Sequence, residues 1–424
     1  VAIVIKTDTR DYSPVYNKME VAILQTDASI RGKIDYKYIF DIYINDPITG
    51  LTEIIRTKVT PDPVQKFGIQ DVSGIISAFV EERLTAYDST LAFDLTENGI
   101  IRYYIKYGEE YRLTASDPIL FYINLLTGAD KYAWGASLEK HRWIDFYNNT
   151  EFEDYIFNVN LVGEFLTNYK TPSVQITDLG WHWYLTDSPS EVDYLEIKTY
   201  DSTGTIISTF KVSNTTNPTT MQSLLVRVAT APQSLNNISG GLFLLGAQPV
   251  IISTVASYTI QCFRTDTSPV GEMLTFTIEE PCFYETFRIH FENEYGAYDS
   301  FNFGLNSKRM SEGERKTYIS NKPVLNSSGL VYQHVTDEKI NYYTKFTNKI
   351  TLKSDFITEA QNEWLKELSF SPRTYLEYVD GNGVHNFKPC IVSNTKWKEQ
   401  ITEIDKLFTF ELEIELEDNF RQRR

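Results

Sequence analysis

Alternation of apolar and polar positions with period two dominates this chain, and it predicts strands far more often than helices. Tyr36–Ile44 is dense in aromatic and β-branched residues and stops at Asn45-Asp46-Pro47, so it reads as a strand closed by a turn. Ile54–Val59 is expected to return beside it, and Ile100–Tyr107 forms a further strand rich in Tyr and Ile. Helical spacing appears in one place in the first third. Ile75, Ile76, Phe79, Val80 and Leu84 predict a helix near 72–84, capped by Asp71 or Ser73.

Between 165 and 285 short strands alternate with polar turns, without a helix pattern. Tyr194–Tyr200 runs through Asp201-Ser202-Thr203-Gly204 into Thr205–Phe210, a hairpin signal, and Leu224–Val228 and Tyr258–Arg264 are similar in length. That spacing argues for a β-sandwich module, with the polar loops Ser213–Thr220 and Pro232–Gly241 as its mobile segments. From 286 onward Phe287–Phe291 alternates, and Asn341–Lys353 is a long strand. A helix follows near 357–369, carrying Ile357, Ala360, Trp364, Leu365 and Leu368 on one stripe, with Thr358 and Gln361 placed for a capping box. Tyr375–Val379 and Lys388–Val392 flank the turn Asp380–Gly383. The last strand sets Phe408, Phe410, Leu412, Ile414 and Leu416 against Thr409, Glu411, Glu413, Glu415 and Glu417, one buried face and one acidic, solvated face.

The expectation is therefore a β-rich α+β chain of several domains. They are a β-rich segment 1–164 with one helix, a β-sandwich module 165–285, and a C-terminal α+β domain 286–424. The last is a mixed β-sheet carrying one amphipathic helix. The length, 424 residues, fits about two to four domains. The formal charge of −17 disfavours a nonspecific nucleic-acid coat, which draws its affinity from clustered Lys and Arg. The opening run Val1–Ile5 is too short for a signal-peptide core or a membrane span, and no membrane insertion is expected.

Candidate chemistry is sparse. No nucleotide-binding, zinc-protease, serine-hydrolase or calcium-loop motif occurs, so no catalytic residue, cofactor or metal is expected and the chain does not read as an enzyme. Cys262, Cys282 and Cys390 lack metal spacing and read as reduced core residues, with a Cys262–Cys282 bridge allowed by spacing alone. The five histidines are scattered, and His290 reads as a structural residue within a strand. The neighbours Glu81-Glu82, Glu109-Glu110 and Glu279-Glu280 read as solvated faces. Trp181, His182, Trp183 and Tyr184 form the one candidate contact site, because aromatics beside a polar residue can stack on sugar rings or meet a partner. Packing of the sandwich core is the competing account of the same residues.

Several segments resemble one group of proteins. Ser13–Asn17, Tyr36–Ile44, Lys58–Pro61 and Asp71–Ile76 are similar to the opening of virion tail structural proteins of tailed phages infecting Bacteroidota. Phe287–Phe303 resembles the same group more clearly, although its Glu294-Tyr295-Gly296 turn departs from the group's more basic version. The terminal helix, Ser371-Pro372, Asp405–Phe408 and the closing alternating strand add a third match. The resemblance implies a tail or tail-tip subunit, made in the host cytoplasm and located in the virion. It would act in a ring-like homo-oligomer or baseplate, or as an adaptor for receptor-binding proteins. Its expected partners are copies of itself, other tail or baseplate proteins and, through 165–285, host surface glycan, with no specific nucleic acid. Two alternatives stay open: a carbohydrate-binding adhesin, and a virion-associated glycosidase or depolymerase.

Overall fold

A computed structural model describes residues 3–45, 52–80, 84, 90–95, 99–124, 130–148, 155–157, 163–187, 191–215, 224–239, 242–280, 283–319, 324–331, 339–394, 397–398, 408–416 and 419–421. Residues 81–83 of the expected helix, 216–220 and 240–241 of the expected loops, Cys282, His334 and Asp405–Leu407 lie outside them. Strands dominate, and the chain divides into two compact units, 1–280 with 292–299, and 281–291 with 300–424.

The first unit holds two pairs of sheets. Ile3–Thr7, Glu20–Gln25 and Gly68–Asp71 form a small sheet. A larger one runs Tyr12–Pro14, Lys131–Trp134, Ile100–Arg112, Ile34–Asn45, Thr52–Val59. The predicted return strand pairs antiparallel with its neighbour, Tyr38 opposite Val59 and Asn45 opposite Thr52. Val21 and Ile23 of the small sheet share one core with Tyr38, Phe40, Ile42, Tyr103 and Ile105 of the larger. Burying such side chains stabilises by roughly 1.5–3 kcal/mol each.

The expected helix at 72–84 is shorter than its spacing suggested. One α-turn, Ser73–Ile76, runs into a 3₁₀ turn, Ser77–Phe79, and Val80 is already extended. Asp71 accepts from the Ser73 backbone N–H at 3.0 Å, as a cap would, but Ile76 and Val80 are both drawn into the core. So short a helix does not nucleate by itself and follows the packing of its side chains.

The second pair of sheets is the sandwich. Trp181–Thr186 and Leu224–Ala229 are joined by Phe93–Leu95 and Ile156–Phe157 from earlier in the chain. The opposing sheet runs Ser173–Val174, Leu274–Ile278, Ser257–Phe263, Tyr194–Tyr200, Ile206–Ser213, Phe243–Leu245. The predicted hairpin is present, with Gly204 at φ +80° closing its turn. Pro232–Asn236, expected as loop, is a short helix that begins at its proline and buries Pro232, Ser234 and Leu235. Cys262 is a free, fully buried thiol in this sandwich.

The second unit is built on one eight-stranded sheet. Its order is Tyr298–Phe303, Phe287–Glu292, Thr374–Val379, His385–Val392, Phe408–Leu416, Lys339–Ile357, Lys308–Ile319, with Asn419–Arg421 also beside Lys339–Ile357. From Phe287–Glu292 across to Lys308–Ile319 every pairing is antiparallel. The helix spans Glu359–Phe370 with the Thr358/Gln361 capping box in place. It buries Trp364, Leu365 and Leu368, and Trp364 meets Phe291 with ring centroids 5.5 Å apart. Ser371-Pro372 ends it, since the residue before a proline disfavours helix. Cys390 is a free, buried thiol of this unit.

Candidate functional site

The outer edge of the eight-stranded sheet is a surface without burial in its own unit. All twelve residues of Lys308–Ile319 are exposed, and among the described residues this edge strand has one sheet neighbour, the long strand Lys339–Ile357. At about 3.4 Å per residue it is roughly 40 Å long. The two strands stay in register from Lys308 opposite Thr351 to Ile319 opposite Lys339, with one irregularity near Lys316 that places the extra residue, Tyr342, on the long strand.

Cross-strand pairs hold this arm. Ser311 and Asn348 share a 2.6 Å hydrogen bond, Lys349 reaches Glu312 at 3.0 Å, and the Lys316 ammonium sits 5.2 Å from the Tyr343 ring centre. The hydrogen bond to Glu312 raises the Lys349 pKa, followed by the attraction of Glu312, Glu413 and Glu415. Met310, Tyr318, Ile319 and Tyr342 are large apolar groups left in solvent on the arm, Ile319 at 74% exposure. At its root Lys353 pairs with Glu411 at 2.9 Å and Lys349 approaches Glu413 at 3.9 Å. The closing strand alternates as expected, but its acidic face is thus partly neutralised by lysines of the neighbouring strand.

A second constellation lies further along the same sheet. Phe287–Glu292, expected to alternate between buried and exposed, is buried at all six positions. One face carries Phe287, Ile289 and Phe291; the other is polar and internally paired. Glu377 receives His290 Nε2 at 2.8 Å and His385 Nδ1, with Arg288 Nε at 3.6 Å. Burial by itself would push the Glu377 carboxyl up. The two imidazole hydrogen bonds, then the positive charges of His290 and Arg288, reverse this and hold it at about 2. Among the described residues no group of His, Cys, Asp and Glu has the geometry of a metal site, and the two imidazoles act as hydrogen-bond partners of one buried carboxylate.

The Glu294-Tyr295-Gly296 turn, singled out by sequence, packs within the first unit. Ser137 N–H donates to Glu294 O at 2.7 Å, Trp134 Nε1 donates to Tyr295 O at 2.9 Å, and Arg142 contacts the Glu294 carboxylate. Gly296 has φ +74°, and a Cβ there would stand 2.5 Å from the Gly135 backbone, so both conformation and space require glycine.

The four residues predicted as a glycan or partner contact belong to the sandwich interior. Trp181, Trp183 and Tyr184 are buried, and Tyr184 stacks on Phe157 at 4.3 Å. His182 is half-buried, bonded through Nδ1 to the Thr230 hydroxyl at 2.9 Å and edge-on to Phe165 and Phe276. Rings covered on both faces have none to offer a sugar, so these residues serve the core. Glu109 and Glu110, expected on a solvated face, are also buried. Glu109 accepts from Gln25 Nε2 and the Tyr36 hydroxyl, both at 2.9 Å, and Glu110 pairs with Lys58 at 2.8 Å. Burial and then Glu109 push the Tyr36 hydroxyl up.

Sequence reasoning passed over the edge strand because its apolar residues follow no period. The one available signal was the charged stretch Lys308–Lys316, basic at both ends with Glu312 and Glu314 between. No helix of the described residues is long and apolar enough to cross a membrane. No family model matches the chain, and no curated protein does. Among solved structures the chain is aligned to the extracellular region of Plexin A4, domains 1 to 10, at 8% identity and a TM-score of 0.15. That alignment covers the whole of this chain and 34% of the other, and likeness at that level carries no argument about fold or function.

Proposed function

We propose that this chain is a structural subunit of a phage tail or tail tip, working by assembly with copies of itself and with neighbouring tail proteins. The phage context rests on the sequence resemblance alone. The assembly role rests on one observation: a twelve-residue edge strand, exposed throughout and bearing large apolar side chains in water. An open edge is a template for strand pairing, and solvated proteins blunt such edges with prolines, bulges, short strands or charged side chains. The charges here, Lys308, Arg309, Glu312, Glu314, Arg315 and Lys316, are of both signs, so a second strand can pair with them instead of being repelled. This strand has no proline and no extra residue of its own.

The test is the mass of the purified chain by light scattering, followed by negative-stain averages, beside a variant whose residues 317–342 are replaced by an Asn-Gly turn. Lys316 and Tyr343, already paired, then close a shorter hairpin. The expected result is a closed oligomer at a multiple of 49.0 kDa for the parent and loss of that oligomer in the shortened chain. A parent that stays monomeric at every concentration, alone and with other tail proteins of the same virion, overturns the reading. An unchanged melting transition in the shortened chain separates lost assembly from lost folding.

A further inference from the structure

We infer that the edge strand Lys308–Ile319 pairs antiparallel with the same strand of a second copy, about a two-fold axis through Glu314. The inference rests on the assembly reading above and names its contact. A two-fold perpendicular to a sheet keeps each side chain on its own face, so only registers joining residues of equal parity are open to identical strands.

Three such registers lie near the strand's middle, and charge separates them. Centring on Gly313 sets Glu312 against the second copy's Glu314 on both sides of the axis and Met310 against Lys316. Centring on Arg315 shortens the overlap, opposes arginine to arginine and sets Glu312 against Tyr318. Centring on Glu314 pairs Glu312 with Lys316 twice and Met310 with Tyr318 twice, over the span Arg309–Ile319. One like-charged pair remains, Glu314 with itself, flanked by both lysines. On the opposite face Arg315 meets Gly313, so the arginines are not opposed. Opposite charges and aromatic–aliphatic pairs across strands are the combinations that stabilise a sheet.

Such pairing would extend the eight-stranded sheet continuously into a second copy and bring the exposed Met310 and Tyr318 into contact. A contact of this kind joins copies two by two, so a ring that used it would carry dihedral symmetry instead of purely cyclic symmetry.

Single cysteines in the full chain test the register. A residue on the axis faces its own copy at cross-strand Cα separations of about 4.5–5.5 Å, within disulfide reach. Glu314→Cys is expected to give a disulfide-linked dimer on a non-reducing gel, well above the parent and above Gly313→Cys and Arg315→Cys. Adding Lys316→Glu to Glu314→Cys should lower the linked fraction several-fold, and adding Glu312→Lys as well should restore it. Equal linkage at all three positions, or linkage at 313 or 315 instead, overturns the register. An oligomeric parent without linkage at 314 overturns this inference and leaves the assembly reading standing; a monomer throughout overturns both.

Discussion

Phe287–Glu292 and Lys308–Ile319 are strands of the same sheet, and they meet opposite fates. The first is buried at every residue, on one face under the helix whose Trp364 meets Phe291, on the other through the Arg288, His290 and Glu377 cluster. The second is exposed at every residue and is held by its ladder to Lys339–Ile357 and a few cross-strand pairs. Strand conformation thus has two separate causes in one sheet: burial within the chain's own core, and backbone pairing that leaves side chains free for something outside it.

The sharpest way to break this contrast is to remove matched side chains. Phe291→Ala should cost about 3–5 kcal/mol in urea unfolding, as for a large aromatic taken from a packed core. Ile319→Ala should stay within about 0.5 kcal/mol under conditions where the chain is monomeric. Equal costs would mean that the edge is buried after all.

The two glycines give the next comparison. Gly296→Ala forces a Cβ onto the Gly135 backbone at φ +74°, and should destabilise by about 3 kcal/mol or more. Gly313→Ala meets only the Lys345 carbonyl at an ordinary 3.7 Å, so it should be neutral or stabilise by roughly 0.5 kcal/mol, as alanine replaces glycine in a strand. Differential scanning calorimetry on both variants reads the difference.

Glu377 adds a pH signature to the buried strand. Its folded value is about 2, below the ordinary 4.5, so its contribution is fully present above the ordinary carboxylate range and is lost as pH falls toward 2. On the order of 3 kcal/mol should disappear over that window in the parent and not in Glu377→Gln. The variant should already be weaker at pH 7 by a similar amount, about 3 kcal/mol, because Arg288 loses its buried counter-charge. Urea midpoints at four or five pH values decide it, and parallel curves for the two proteins would contradict the assignment.

The ion pairs at the arm's root are expected to contribute little. Lys353→Ala removes the bridge to Glu411 between half-exposed groups, so it should change stability by no more than about 1 kcal/mol, less at high salt.

Much of the fold was legible because its signals are local. The Tyr36–Ile44 strand and its return, the Asp201–Gly204 hairpin, the Thr358/Gln361 capping box and the closing Phe408–Leu416 alternation each lie within about two dozen residues, and each is present. Losses came where distant residues decide. Trp181, Trp183 and Tyr184 have the composition of both a binding face and a core strand, and only the sheet packed across them distinguishes the two. His290 and Glu377 are 87 positions apart, so nothing near either announces their bond. The 72–84 spacing was helical, yet Ile76 and Val80 belong to a core assembled from strands far along the chain. Lys140–Asn148 forms a helix that was not foreseen; it is short, nine residues, and buries only Phe146.

The two free thiols among the described residues give each unit its own clock. Burial pushes the Cys262 thiol up, and pushes Cys390 up to about 11, so neither offers a thiolate to a reagent while its surroundings stay closed. Alkylation of Cys262 therefore measures how often the sandwich opens, and alkylation of Cys390 how often the eight-stranded sheet does. Peptide mass spectrometry resolves the two sites in one sample. If a second copy covers the edge strand, as proposed above, the labelling rate at Cys390 against that at Cys262 reports whether the added strand tightens only the sheet it joins or the whole chain.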